Sequence, residues 1–148
     1  MNIWIDGDAC PKQVKQILFR AAIKRKITSY LVANHFVDMP ASIYIERIIV
    51  ESGFDRADQY ILEHIQRDDL VITGDIPLAE YVLEKGAFAL SPRGFIYTSN
   101  NIKQVVAMRN MNESLRSSGL IQGGPKPLQQ KEILLFSNHL DKLLTQYH

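Results

Sequence analysis

Near its start the chain reads Ile3-Trp4-Ile5-Asp6-Gly7-Asp8-Ala9-Cys10-Pro11. The first residues of this stretch predict a short apolar strand, and Pro11 is typical of the first turn of a helix. Two carboxylates lie between the strand and the helix. Because open parallel sheets bind their ligands at the carboxyl ends of the strands, the stretch predicts an acidic crevice at one edge of a sheet.

The same pattern returns later as Leu70-Val71-Ile72-Thr73-Gly74-Asp75-Ile76-Pro77. Its apolar run predicts a strand that is covered on both faces. If the two strands share a sheet, Asp6 and Asp75 meet at its edge. Clustered carboxylates repel one another, and a hard divalent cation such as Mg²⁺ relieves that repulsion. The alternative for Asp75 is an ordinary helix cap ahead of Pro77.

Length and composition indicate an ordinary globular chain. Its 148 residues suit one domain with a single core, and we expect that domain to span residues 1–148. No apolar run approaches the roughly 18 residues that span a bilayer, and the start lacks a signal-peptide pattern, so we expect no membrane segment and a cytoplasmic location. The net charge of +1 means that any attraction to nucleic acid must come from a local patch.

The single cysteine, Cys10, excludes an internal disulfide and a thiolate zinc site. Its position at a predicted helix start favours a thiolate, but nearby carboxylates oppose ionisation. We therefore expect Cys10 to be a small packed residue.

Strand and helix patterns alternate over most of the chain, which predicts an α/β fold with a parallel sheet and right-handed crossovers. Ser42–Val50 also fits a helical period, through its isoleucines. The predicted elements after the first strand are a helix from Pro11 to about Arg25, strand Ser29–Ala33, extended stretch Ser42–Val50, helix Asp55–Gln66, strand Leu70–Thr73, helix Pro77–Lys85, strand Ala87–Leu90, and helices from Asn101 to about Ser117 and from about Gln129 to Tyr147.

Four aspartates are candidate catalytic residues and metal ligands: Asp6, Asp8, Asp58 and Asp75. If the first strand is still extended at Asp8, then Asp6 and Asp8 leave the same face, although one of them has the alternative role of capping the helix at Pro11. Asp55 and Asp58 have the spacing of an ordinary capping pair. Asp58 also lies one turn before Ile61 on the apolar stripe, which predicts that it faces the sheet, where a shared metal would supply its partner.

Arg93 and Lys12 are candidate substrate-binding residues. Arg93 follows a predicted strand end, where an arginine binds a phosphate in bidentate fashion or neutralises carboxylates in a salt bridge. Arg109 and Arg116 follow an apolar stripe on one helix face, and for them a salt bridge or solvent exposure is favoured. The four histidines show no pattern.

The motifs together resemble the YaiI/YqxD family of bacterial proteins, nearly over the whole chain. They are Asp6-Gly7-Asp8-Ala9-Cys10-Pro11, Gly53-Phe54-Asp55-Arg56-Ala57-Asp58, Thr73-Gly74-Asp75-Ile76-Pro77-Leu78-Ala79, Pro92-Arg93-Gly94 and Gly123-Gly124-Pro125.

That family is in turn similar to the PIN-like nuclease superfamily. The resemblance implies a three-layer α/β/α fold around a mainly parallel sheet, with the C-terminal helical segment of about residues 101–147 included in one PIN-like domain. It also implies an acidic cluster that binds Mg²⁺ or Mn²⁺, with Asp6 after the first strand, Asp58 on a following helix and Asp75 after the fourth strand. The paired Asp8 and the Gly123-Gly124-Pro125 segment depart from the common pattern.

A rival resemblance is to haloacid-dehalogenase-like phosphatases, whose strand-borne Asp-x-Asp is similar to Asp6 and Asp8. There Asp6 would attack a phosphate, Asp8 would act as general acid, and Mg²⁺ would clamp the phosphate. Cys10 stands where these enzymes usually carry Thr or Val, and Ala79 where they favour a second acid. The chain is also short for that fold.

The first functional hypothesis is therefore a metal-dependent phosphodiesterase that acts on RNA or DNA and uses Mg²⁺ or Mn²⁺, with RNA or a single-stranded nucleic acid as the expected partner. The phosphatase is the second. The third is a noncatalytic domain that binds RNA or a protein partner and shows salt-dependent binding without cleavage. The sequence leaves the oligomeric state open.

Overall fold

In the computed structural model, which describes residues 1–53, 55–121 and 126–148, a central sheet is flanked by helices on both faces. The strands are β1 (Ile3–Asp6), β2 (Ser29–Ala33), β3 (Ile45–Ile49), β4 (Leu70–Ile72), β5 (Phe88–Leu90) and β6 (Ile96–Tyr97). The helices are α1 (Lys12–Arg25), α2 (Arg56–His64), α3 (Ile76–Glu84), α4 (Ile102–Ser117) and α5 (Gln130–Tyr147).

The strand order is β3-β2-β1-β4-β5-β6, and all neighbouring strands are parallel except the antiparallel pair β5 and β6. The chain first builds the sheet outward from β1 to β3, then returns to the other side of β1 with β4. Such a change of direction opens a crevice at the carboxyl ends of the two central strands. Because Ile5 pairs with Ile72, Asp6 and Thr73 follow at the same level of the sheet.

Alternation along β1 divides its side chains between two cores. Ile3 and Ile5 pack in the core that includes residues of α1 and α5, whereas Trp4 packs in the core that includes residues of α2, α3 and α4. Successive strand residues point to opposite faces. The architecture is therefore three layers, α/β/α, with a mainly parallel sheet, as predicted; the likeness to PIN-like nucleases stays a prediction.

The predicted elements agree with the structure within a few residues, and the ambiguous stretch at Ser42–Val50 contains the strand β3. The sequence prediction missed β6, because two residues are too few for a periodic signal. The predicted break at Gly123-Gly124-Pro125 lies outside the described residues.

An acidic residue, Asp69, is buried at the amino-terminal ends of the strands, directly before β4. Asp69 is 4% exposed. Its carboxylate accepts hydrogen bonds from the backbone N–H of Asn2 at 2.9 Å, the indole Nε1 of Trp4 at 3.0 Å and the backbone N–H of Gln66 at 2.9 Å. Three donors satisfy this carboxylate, so it ties the chain start and the α2–β4 turn to the sheet.

We predict that Asp69→Asn lowers the free energy of unfolding by about 2–4 kcal/mol, because an amide group in place of one oxygen leaves at least one buried N–H without an acceptor. Urea denaturation measures the loss. The control is Asp68→Asn at the exposed neighbouring position, which has a φ of 70° that asparagine tolerates. Equal stability of the two variants would contradict the structural role of Asp69.

Candidate metal centre

Three carboxylates converge at the carboxyl edge of the sheet. Asp55, Asp58 and Asp75 each contribute one oxygen to a group in which all three oxygens lie within 4.8 Å of one another. Asp55 is exposed, and the other two are half-buried. The structure thus brings together two of the predicted ligands, Asp58 and Asp75, and adds Asp55, which the sequence analysis placed in an ordinary capping pair with Asp58 and not among the candidate ligands.

Local structure explains the position of each member of this acidic trio. Asp75 is the N-cap of α3, and its Oδ1 accepts a hydrogen bond from the backbone N–H of Leu78 at 2.9 Å. Asp58 lies in the first turn of α2, and Asp55 precedes that helix without a side-chain capping bond. The positive end of each helix dipole favours negative charge at these positions. Capping and clustering are therefore compatible at Asp75, since a carboxylate has about four acceptor sites.

Asp6 lies beside the trio at the end of β1 and is only 7% exposed. The hydroxyl of Thr73 donates a hydrogen bond to Asp6 Oδ2 at 3.3 Å and accepts one from the backbone N–H of Asp75 at 3.0 Å. Thr73 therefore links the ends of the two central strands and orients both aspartates. Thr73 lies within the sequence motif, but its role depends on the pairing of β1 with β4.

Burial, with the close packing of like charges, raises the pKa of two of these groups. Burial raises the pKa of Asp6 to about 6, with the Thr73 hydroxyl opposing the rise and Asp8 and Asp75 adding to it. Burial, followed by the charges of Asp75 and Asp6 and a hydrogen bond with Asp75, raises the pKa of Asp58 to about 7. A protonated carboxyl is favoured here because the cluster holds more negative charge than its own donors neutralise.

Asp8 does not form the same-face pair with Asp6 that an extended strand would give. Strand β1 ends at Asp6, and the chain turns at Gly7, whose N–H donates to Val32 O at 2.8 Å. Both oxygens of Asp8 accept from the backbone N–H of Asn34, at 3.0 and 3.1 Å, and Oδ1 lies 3.0 Å from His35 Nδ1.

The bond to Asn34 fixes the Asp8 side chain at the end of β2. Helix α1 has Pro11 as its N-cap and no side-chain capping bond, so Asp8 does not have the alternative role of a cap either. A metal-binding role for Asp8 stays a prediction.

A cavity of about 240 Å³ contains the trio and lies between α2, α3 and α4. Its lining is Asp55, Asp58, Gln59, Leu62, Asp75, Pro77, Leu78, Tyr81 and Arg109. Arg109, for which the sequence favoured a salt bridge or solvent, also pairs with Glu113 one turn along α4 at 3.3 Å. The acidic cavity, as we call it, is thus lined by three carboxylates and, among the described residues, by the side chain of Arg109.

Among the described residues, the lining of the acidic cavity includes neither Arg93 nor Lys12. Nη1 of Arg93 instead donates to both carboxylate oxygens of Glu132, at 2.9 and 3.1 Å, and Nη2 donates to the carbonyl of Lys126. Arg93 therefore holds the start of α5 against the sheet. Lys12 lines a separate cavity between α1 and residues 37–40. Substrate binding by either residue stays a prediction.

Cys10 is 6% exposed and packs in the core beside α1. Burial raises the pKa of its thiol to about 12, with Lys15 opposing the rise and Asp6 adding to it. The thiol is therefore protonated at neutral pH, which agrees with the expected packing role and not with a nucleophile.

The fold and this cavity define an α/β protein with an acidic group, compatible with a divalent cation, at the switch point of its sheet. Residues 4–146 match the family described as "Uncharacterized BCR, YaiI/YqxD family", and the chain belongs to that family. The description names no activity.

Among the curated relatives, a UPF0178 protein of a Marinomonas species is 52% identical over 146 residues, which cover 99% of this chain and 98% of the relative. Similar matches come from Hydrogenovibrio crunogenus, 52% identical over 147 residues covering 99% and 97%, and from Legionella pneumophila, 52% identical over 146 residues covering 99% of both. No solved structure matches the chain. Across the described residues, no helix has the length and apolar character required to cross a membrane.

We predict that Asp6→Asn stabilises the metal-free protein at neutral pH. The pKa of Asp6 is about 6 in the folded state and about 3.9 in an unfolded chain, so folded wild type retains a proton that the unfolded chain has released. Wild-type stability therefore falls as the pH rises from about 4 to about 6. The gain of Asp6→Asn grows over that window to about 2–3 kcal/mol.

Urea denaturation at several pH values in a chelator measures this gain. The control is Asp68→Asn, which removes the same charge at the opposite edge of the sheet. A loss of stability in Asp6→Asn at pH values above this window would show that the Asp6 carboxylate is well satisfied, contrary to the geometry.

Proposed function

We propose that the protein is a metal-dependent phosphodiesterase that cleaves RNA or single-stranded DNA, with Mg²⁺ or Mn²⁺ held in the acidic cavity. The observation that carries the proposal is the convergence of Asp55, Asp58 and Asp75 within 4.8 Å. Hard oxygen ligands in this number suit Mg²⁺ or Mn²⁺, which keep waters in their remaining positions. The raised pKa of Asp58 supports the same reading, since a cation is the other means of neutralising the group.

The charged residues in and beside the cavity divide three tasks in this reaction. Asp55, Asp58 and Asp75 would hold the cation, and Asp6, beside them, would add negative charge that favours its binding. A cation bound there would supply a Lewis acid that lowers the pKa of an attacking water. The guanidinium of Arg109 donates hydrogen bonds to the phosphate oxygens and places the phosphorus beside the carboxylates. The same hydrogen bonds stabilise the negative charge that develops on the phosphate oxygens.

Two observations rank the phosphodiesterase above its alternatives. A phosphatase of the haloacid-dehalogenase type needs Asp6 as an accessible nucleophile, but Asp6 is 7% exposed and accepts a hydrogen bond from Thr73. A noncatalytic RNA-binding domain has no use for clustered acids, which repel phosphate and destabilise the fold. Costly arrangements of this kind are typical of functional sites.

The test is Mn²⁺ binding and strand cleavage by wild type and Asp75→Asn. Asparagine caps α3 as well as aspartate does, so the variant is expected to fold. In wild type, Mn²⁺ at about 100 times Kd adds about 2.7 kcal/mol to the stability. In Asp75→Asn, calorimetry is expected to show Mn²⁺ affinity reduced by about tenfold to a hundredfold, and cleavage of labelled RNA and single-stranded DNA is lost in parallel.

Asp68→Asn serves as the matched control and is expected to bind and cleave as wild type does. Mn²⁺ binding that is equal in Asp75→Asn and wild type would refute the metal site. Phosphate release from small phosphomonoesters through an acid-labile aspartyl-phosphate would favour the phosphatase instead. Salt-dependent RNA binding that persists without Mn²⁺-dependent cleavage would favour the noncatalytic domain.

A further inference from the structure

A second cavity adjoins the acidic cavity. It has a volume of about 410 Å³ and lies between α4, the start of α3 and β6. Arg109 lines both cavities, and the neighbouring residues Ile76 and Pro77 line one each. The second cavity, which we call the α4 cavity, is therefore the direct continuation of the proposed active site. Its lining includes Phe95, Tyr97, Met108, Arg109, Asn112 and Arg116.

We propose that the α4 cavity binds the nucleotide next to the scissile phosphate, with its base on Phe95 and its phosphate on Arg116. This inference rests on the proposed function, because the acidic cavity must bind the phosphate that is cleaved. It adds the location of the neighbouring part of the substrate. It also specifies an unpaired strand, since only an unstacked base can reach an aromatic side chain.

Phe95 has the exposure and support that base stacking requires. It lies directly before β6 and is 45% exposed, so part of its ring is accessible to a base. Its ring contacts that of the buried Tyr97 edge-on, with centroids 5.2 Å apart and an interplanar angle of 66°. Tyr97 holds the Phe95 ring in place, while Met108, 53% exposed, extends the apolar wall. Both features suit the flat face of a base of any sequence.

The charges of the α4 cavity suit a phosphate backbone. Val105, Met108, Asn112 and Arg116 recur on one face of α4 at helical spacing, together with Arg109. Arg109 already pairs at 3.3 Å with Glu113, which is the acid that lines this wall among the described residues. Arg116 is exposed and forms no ion pair within the described chain. The guanidiniums of Arg109 and Arg116, two turns apart on one face of α4, match phosphates on either side of one nucleotide.

The larger cavity at α1, of about 760 Å³, is another basic candidate, and its lining includes Lys12, Lys15 and Arg20. Its lining shares no residue with the acidic cavity, and its one aromatic residue, Phe19, is buried. The α4 cavity therefore carries the inference, because it alone of these two combines continuity with the trio and an exposed aromatic ring.

The experiment measures fluorescence anisotropy of labelled single-stranded RNA and DNA in a chelator, where metal-dependent cleavage is absent, over a series of salt concentrations. We expect Phe95→Ala to weaken binding by about tenfold, as for the loss of one stacked base. We expect Arg116→Ala to weaken it similarly and to reduce the slope of log K against log salt by about 0.7, the value for one phosphate contact on a single strand.

The matched control is Lys103→Ala, an equal charge change at an exposed position of α4 outside both cavity linings. It is expected to keep wild-type affinity within about twofold, because an unspecific charge effect is small at moderate salt. Thermal unfolding checks Phe95→Ala for folding, and the exposed Arg116 provides a second variant that does not depend on packing. Duplex of the same sequence is expected to bind more weakly than the single strand.

Wild-type affinity in both Phe95→Ala and Arg116→Ala would overturn the inference, and so would an equal loss in Lys103→Ala or the absence of single-strand binding by wild type. Mn²⁺ binding separates this failure from failure of the proposed function. If the inference holds, Phe95→Ala and Arg116→Ala leave the Mn²⁺ affinity unchanged. If Asp75→Asn also leaves the Mn²⁺ affinity unchanged, the proposed metal site is refuted.

Discussion

The parallel pairing of β1 with β4 positions every element of the acidic site. It brings Asp6 and Thr73 to one level, and the turn after β4 then carries Asp75 into the N-cap of α3. Alternation in β1 places Asp6 on the same side of the sheet as Trp4, which is the side that α2 covers. Helix α2 presents Asp58 in its first turn. Residues far apart in the sequence thus converge because two strands share one hydrogen-bonded ladder.

Two buried aspartates, Asp6 at the carboxyl end of β1 and Asp69 directly before β4, differ in how completely their carboxylates are hydrogen-bonded. The carboxylate of Asp69 accepts hydrogen bonds from three N–H groups, which satisfy its negative charge. Asp6 has one described hydrogen bond, at 3.3 Å, and faces other aspartates. If stability were the only requirement, we would expect both carboxylates to be fully hydrogen-bonded, because buried charges without partners are costly. The incomplete neutralisation at the Asp6 edge is what a divalent cation would complete.

Much of the fold was predictable because strong local patterns dominate it. Apolar runs before Asp6 and Asp75 identified the central strands, and the stripe through Ile61 predicted that Asp58 faces the sheet. The role of Asp55 was not resolved, because the spacing of a capping pair and that of a ligand pair are the same. The weak points were the residues whose surroundings depend on tertiary contacts.

Arg93 and Arg109 show that limit most clearly. Both follow apolar segments, and nothing local shows that Arg93 pairs with Glu132 while Arg109 lines the acidic cavity. Asp8 is a similar case, since the prediction of a same-face pair assumed that the strand continues. The chain turns at Gly7, and a glycine is needed there because a Cβ would lie 2.9 Å from Leu31 Cδ1 on the neighbouring strand.

The central claim is that the acidic cavity holds a divalent cation, and anomalous diffraction from a crystal grown with Mn²⁺ tests it most directly. The account predicts a manganese peak within about 2–2.5 Å of carboxylate oxygens of Asp58 and Asp75. A manganese peak elsewhere on the molecule, or no peak at a concentration that saturates binding in solution, would contradict it.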